Sequence, residues 1–517
     1  MSNGFAFHPT CNEVLPFSAQ YNFPNQATRQ SKRTIKLTPK NNAAVFATNN
    51  VIRFEFPASG YLNPTTTYLA FNCRVANLAG SYTKGDTLAG GFEFQNGIQS
   101  IFRRCRVLYG SIVLEDIQDY HILNRIFTES VLPSGSMSSA SSMLQGIGMS
   151  LRQITTSANT APVPFHGSSI RTNYHATGSD SVPTNVGTTV RRYMVPINTG
   201  IFQQKNLIPL KFMASQLSIE LEVASCAESG IWVLGTGGNQ TAPTDCTIQV
   251  GLPELVSELL EFDSEFDRAI YVALEKTGLP IHFQSYHVTT QSIPPNVRSQ
   301  LNIQESARSV RYALAVIMDD SARSIRKDAH HFVASLACVQ DDAVANAESI
   351  TKNVQSCAVE SYQWRLGGTY YPSQPVPCYL RSIPNATGVD AYYADPPVEA
   401  YAELVKVFGN LFENDGTYFG VQRNNFFGER RTAAAEADGS TFYASSFVMA
   451  GNFLTDRGDI ISGINAEEQN DLQLIITFVG TSVAGGSIQA ATKTCKVVTC
   501  FDNLMILGKS NNLVHVY

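Results

Sequence analysis

Glu254, Glu258, Glu261, Asp263, Glu265 and Asp267 form the densest acidic run in the chain, and calcium is the chemistry such a run suggests, because a hard cation collects several oxygen ligands. The spacing does not fit. With Asp263 as the first loop position, Arg268 occupies the sixth, where a calcium loop needs Gly, and Leu274 the twelfth, where it needs an acid. A solvated linker face is the reading that remains. His330 and His331 beside Asp328 suggest a metal site, yet adjacent residues on a strand point to opposite faces. The pairs Asp319-Asp320, Asp341-Asp342 and Glu467-Glu468 fail as glycosidase carboxylates for the same reason. Gly235-Thr236-Gly237-Gly238 lacks the helix start that a phosphate cradle requires and reads as a turn. No Gly-x-Ser-x-Gly elbow, Walker loop, His-Glu-x-x-His or Cys-x-x-Cys pair occurs. The expectation is a protein that is not an enzyme and holds no cofactor or metal.

One charged segment remains. From Val14 to Phe54 there is no acid, while Arg29, Lys32, Arg33, Lys36 and Lys40 are cationic. Such an arm suits nucleic acid or another anionic partner, or a strap along a neighbouring subunit. The whole chain argues against a surface built for phosphates, with a net charge of −6 and a pI near 5.9.

The elements that must position these residues are mostly strands. With 517 residues, 44% hydrophobic and only 15% charged against a usual share of about 25%, the chain supports large cores and excludes disorder as its main state. The low charge also suits permanent subunit interfaces. No run of 18 apolar residues and no leader-like start is present, so the expectation is a chain neither secreted nor membrane-spanning, with its ten cysteines reduced. Ile52–Phe56, Leu217–Val223 and Leu472–Phe478 alternate as half-buried strands do. Short strands split by Gly, Pro, Asn and Ser clusters predict sandwiches. Two helices are expected, one over Asp116–Phe127 and one after Pro397 that buries Val398, Tyr401, Val405, Phe408 and Phe412.

The chain also repeats itself. A strand, a Gly turn and a strand surround Gly110 and again Gly367, an offset of 257 (367 − 110), and Ile219 and Ile476 in two alternating strands are separated by the same 257 (476 − 219). A Gly-rich loop and one further strand follow each, at Cys246–Val250 and Lys496–Val498. Two modules of one topology follow, with a boundary between residues 252 and 270.

The stretch Asn96-Gly97-Ile98-Gln99-Ser100-Ile101-Phe102, through Val107, Gly110, Ile112 and Glu115 to Asp119-Tyr120-His121-Ile122-Leu123, resembles the strand-hairpin-helix block of double jelly-roll major capsid proteins, above all those of polinton-like viruses and virophages. Asn206–Leu210, Gly367–Pro375, Phe501–Ile506 and Val514–Val516 follow in the family's order. The resemblance implies an all-β chain of two tandem eight-stranded jelly rolls with a short helix in each. It would comprise an arm at 1–30, a first jelly roll at 31–255 with a long loop insertion at about 131–190, and a second at 256–517. It implies a homotrimeric, pseudo-hexagonal capsomer tiling an icosahedral shell in the virion, assembled inside the host cell. Neighbouring capsomers, penton and minor capsid proteins would be its partners, with no small-molecule substrate. The Ser-rich insertion would face outward, and the arm with Arg29, Lys32, Arg33, Lys36 and Lys40 would face interior components. The rival is a carbohydrate-binding or carbohydrate-cleaving tandem sandwich, for which Trp232 and Trp364 are a thin supply of sugar platforms.

Overall fold

The computed structural model describes residues 30–41, 43–76, 98–131, 191–225, 247–294, 298–318, 359–378, 398–408, 447–454, 463–467, 472–478 and 493–508, with short pieces at 92–94, 144–145, 147–148, 151–152, 163–164, 171–173, 231–234, 240–241, 429–432, 441–444 and 513–516. Eight strands build a first module: β1 (Gln30–Leu37), β2 (Val51–Glu55), β3 (Tyr61–Ala76), β4 (Phe102–Tyr109), β5 (Ile112–Ile117), β6 (Arg191–Pro196), β7 (Leu217–Val223) and β8 (Thr247–Phe262). They pair antiparallel in two sheets, ordered β1-β8-β3-β6 and β2-β7-β4-β5. The chain is thus a long hairpin rolled over on itself, which is the jelly roll.

The second module repeats this with β9 (Leu279–Ile293), β10 (Arg298–Ile303), β11 (Val310–Met318), β12 (Val359–Leu366), β13 (Thr369–Pro377), β14 (Met449–Asn452), β15 (Leu472–Phe478) and β16 (Lys493–Leu507). Its sheets run β9-β16-β11-β14 and β10-β15-β12-β13. Each strand therefore stands where its counterpart eight places earlier stands. Gly110 and Gly367 both turn with φ of 59°, a left-handed conformation that suits glycine, between β4 and β5 and between β12 and β13.

The repeat is real, but its register differs from the sequence expectation. Val107 lies opposite Ile219, and Trp364, the residue at the same distance before the Gly turn, lies opposite Leu474. The counterpart of Ile219 is therefore Leu474, not Ile476. A slip of two keeps every side chain on its face, so alternation alone does not detect it.

The α-helices are α1 (Tyr120–Val131), α2 (Gly200–Gln203), α3 (Ser264–Lys276) and α4 (Val398–Phe408), with short 3-10 turns at Ile98–Ile101 and Leu210–Phe212. The first starts later than expected, because Ile117 ends β5 and Asp119 takes a φ of 50° before the helix begins. In α4 Ala400, Leu404 and Val407 are buried, the expected Tyr401 and Phe408 pack half-buried against the core, Val398 is 63% exposed, and Phe412 lies outside the described residues. The third helix was not expected at all. Asp263 caps it by accepting from the Phe266 N–H at 3.1 Å, Glu265 and Asp267 fill its first turn and Lys276 its last. No described helix is long and apolar enough to cross a membrane.

β8 runs unbroken across residue 255, pairing with β1 from Leu37↔Leu255 to Gln30↔Phe262. The first sheet thus continues to Phe262, and α3 leads into β9. The cores of both modules, with Phe54, Phe71 and Ile219 in one and Trp364, Leu474 and Val498 in the other, belong to one continuous buried cluster.

The modules meet along strand edges: β5, at the edge of one sheet, lies against β9, at the edge of another, and α2 packs on β9. Gly200 stands at the point of closest approach. A Cβ there would overlap the carbonyl oxygen of Gln284, a backbone atom that cannot move aside without moving β9. Gly200→Ala is expected to destabilise at or beyond the top of the usual range for overpacking, roughly 1–3 kcal/mol. Thermal unfolding measures the loss, and faster deuterium uptake over residues 280–288 places it at the joint.

Candidate functional site: the joint between the modules

Glu115 is the centre of this joint and is 2% exposed. Strict alternation would not send both Leu114 and Glu115 inward. A bulge does so: Val107 faces Glu115 and Leu108 faces Val113, leaving Leu114 as the additional residue. The Gly200 and Ile201 N–H groups each donate to Glu115 at 2.9 Å, and the Ser285 hydroxyl of the second module donates at 3.2 Å. Burial raises the carboxyl to about 7 against the opposing pull of these donors.

Three further contacts close the joint. Asp119 accepts from Lys496 Nζ at 2.7 Å, and the same ammonium donates to Thr290 at 2.8 Å. Phe127 packs edge-on against Tyr286 at 5.2 Å and Phe408 at 5.9 Å, so an aromatic ring of the first module is wedged between elements of the second. Beside them His287 lies 3.5 Å from Glu305, whose carboxylate raises the imidazole above its ordinary value.

The connection between modules is also pinned. The Tyr61 hydroxyl donates to Asp267 of α3 at 2.8 Å, and its ring packs on Phe262 at 5.1 Å and Phe266 at 5.5 Å. Lys211 pairs with Asp267 and lies over the rings of Tyr61 and Phe212 at 5.0 and 5.1 Å. Burial and the Asp267 carboxylate raise the Tyr61 phenol well above its usual range.

The acidic run is not a free linker face. Glu254 pairs with Arg192, Glu258 with Lys32 at 2.6 Å and Glu261 with Arg33 at 3.4 Å. The cations expected in a loose arm are accordingly divided. Lys32, Arg33 and Lys36 lie on β1 and Lys40 pairs with Glu55 at 3.1 Å, while Arg29 lies outside the described residues. Lys36 is exposed, with no acidic partner among the described residues. His330, His331, Asp328, the pairs at 319–320 and 341–342, Gly235–Gly238 and most of the 131–190 insertion also lie outside them. Glu467 pairs with Arg308 at 2.7 Å. Among the described residues no group of three or more His, Cys, Asp or Glu comes together. Cys73, Cys105, Cys378, Cys495 and Cys500 are buried.

Sequence reasoning placed Glu115 in a block but not at a joint. The available signal was its position in the mostly apolar strand Ile112–Ile117, five residues before the start of an amphipathic helix at Tyr120.

No family model and no curated protein sequence matches the chain. Solved structures do match along nearly its full length. It resembles a chain of the PBCV-1 virus capsid quasi-atomic model at 10% identity and a TM-score of 0.52, covering 96% of this chain and 99% of that one. The Faustovirus major capsid protein matches at 9% identity and a TM-score of 0.53, covering 98% and 94%. A chain of the Sputnik virophage matches at 11% and 0.53, covering 99% and 92%. The chain therefore has the double jelly-roll fold of the viral major capsid proteins.

Proposed function

We propose that this chain is a viral major capsid protein whose homotrimers are pseudo-hexagonal capsomers tiling an icosahedral shell, in a virus of the polinton-like or virophage kind. The observation that carries the reading is the same pair of sheet orders occurring twice in one chain, together with whole-length likeness to capsid chains. Two like modules joined edge to edge offer, in three copies around an axis, six sandwiches at similar angles, which is a hexagonal outline from a trimer. The role is assembly, not catalysis. Apolar area buried between protomers would make the trimer permanent, and weaker contacts between trimers would let a lattice anneal.

In this reading the arm at 1–30 and the neighbouring cations face the interior, and the insertion at about 131–190 forms the outer tip. The first jelly roll is extended to Phe262 and the second begins with α3. Lys32, Arg33 and Lys40 are neutralised within the chain, so Arg29 and Lys36 carry the charge offered to interior components. Penton and minor capsid proteins are the further partners, and the virion, assembled in the host cell, is the location. The carbohydrate reading is disfavoured because Trp364 is fully buried and gives no platform for a sugar.

Sedimentation of the purified chain is expected to give a trimer that persists on dilution to micromolar concentration; a monomer there defeats the proposal. Deleting residues 1–29 is expected to leave the trimer intact and to reduce closed shells seen by electron microscopy. Loss of the trimer would instead place the arm in the protomer interface.

A further inference from the structure

Glu115 is surrounded by hydrogen-bond donors and by no cation of its own among the described residues. Two backbone N–H groups and the Ser285 hydroxyl point at it from two modules. The Thr199 hydroxyl is fully buried beside it. The titratable groups bearing on this carboxyl are Cys105 on β4, Tyr120 on α1, Tyr286 on β9 and Cys500 on β16. Burial pushes all four upward, so they stay neutral and cannot balance a charge.

The charged groups nearby have other partners. Asp116, next along β5, is bound by Arg104 at 2.7 Å, Arg311 on β11 by Asp502 at 2.8 Å, Lys496 on β16 by Asp119 at 2.7 Å, and His287 on β9 by Glu305 at 3.5 Å.

We infer that Glu115 is a proton-responsive pin of the inter-module joint: protonated, it holds the modules by hydrogen bonds alone, and ionised, it leaves a buried charge that loosens them. The inference concerns the chain's own two modules and stands apart from the capsid reading.

The direction follows from linkage. The folded carboxyl titrates at about 7 against an ordinary 4.5, so its stabilising contribution is complete below the lower value and is lost as pH rises through the higher one. His287 acts with the same sign in a window that begins at its ordinary 6.5 and extends upward, so the two must be separated by substitution.

The test is deuterium uptake by the full chain over residues 199–203 and 283–287 between pH 5 and 8, corrected for intrinsic exchange. In the unsubstituted protein, opening is expected to increase by up to about two orders of magnitude across that range. Glu115→Gln should flatten the rise below pH 7, and His287→Gln should leave it. An infrared band of a protonated carboxyl that disappears between pH 6 and 8 should be present in the unsubstituted chain, which covers the case of a Gln variant that fails to fold. A pH-independent joint, a Gln variant with the unsubstituted profile, or the absence of such a band overturns the inference.

Discussion

The structure depends on two sheet edges being laid against each other without a gap. An edge strand presents backbone groups that need partners and is otherwise a site for unwanted pairing. Here β5 and β9 cover one another, and a helical turn between them comes so close that only a residue without a side chain fits at Gly200. The first N–H groups of that turn would be orphans in a dry joint. Glu115 satisfies two of them and at the same time reaches Ser285 across the boundary. At Gly200 the approach of the modules is therefore limited by backbone contact.

Charge in this chain is scarce, and many of the described charged residues are paired. On the outer face of the sheet β2-β7-β4-β5, Arg53 and Arg106 meet Glu220, Arg103 meets Glu222 and Arg104 meets Asp116. The corresponding face of the second module is an amide surface, where Gln473 accepts from Gln300 at 2.5 Å and from Arg365 at 3.2 Å. These pairs are half-buried rather than exposed. The two modules of one topology thus present faces of different chemistry.

Strand existence, the turn glycines and the repeat were legible because a half-buried strand must alternate and a left-handed turn favours glycine. Register was not. Ile219 matches Ile476 as well as Leu474 on any pattern of faces, and only the ladder chooses Leu474. The acidic run misled for a related reason: its carboxylates read as solvated, yet Lys32, Arg33, Arg192 and Lys211 come to them from distant parts of the chain. The same expectation concealed α3, although Asp263 at its cap and Lys276 at its end are ordinary helix signals.

By itself the sequence determined that this is a duplicated β-sandwich chain with large apolar cores and no motif of known catalytic mechanism, because composition and period act locally and survive without knowledge of partners. Tertiary structure alone decided that a bulge turns Glu115 inward, that Gly200 must be bare to meet Gln284, and that one carboxyl serves both modules. Those facts depend on residues 85 and 170 positions from Glu115 arriving at the same place, and nothing in the local pattern of a strand records what its edge will touch.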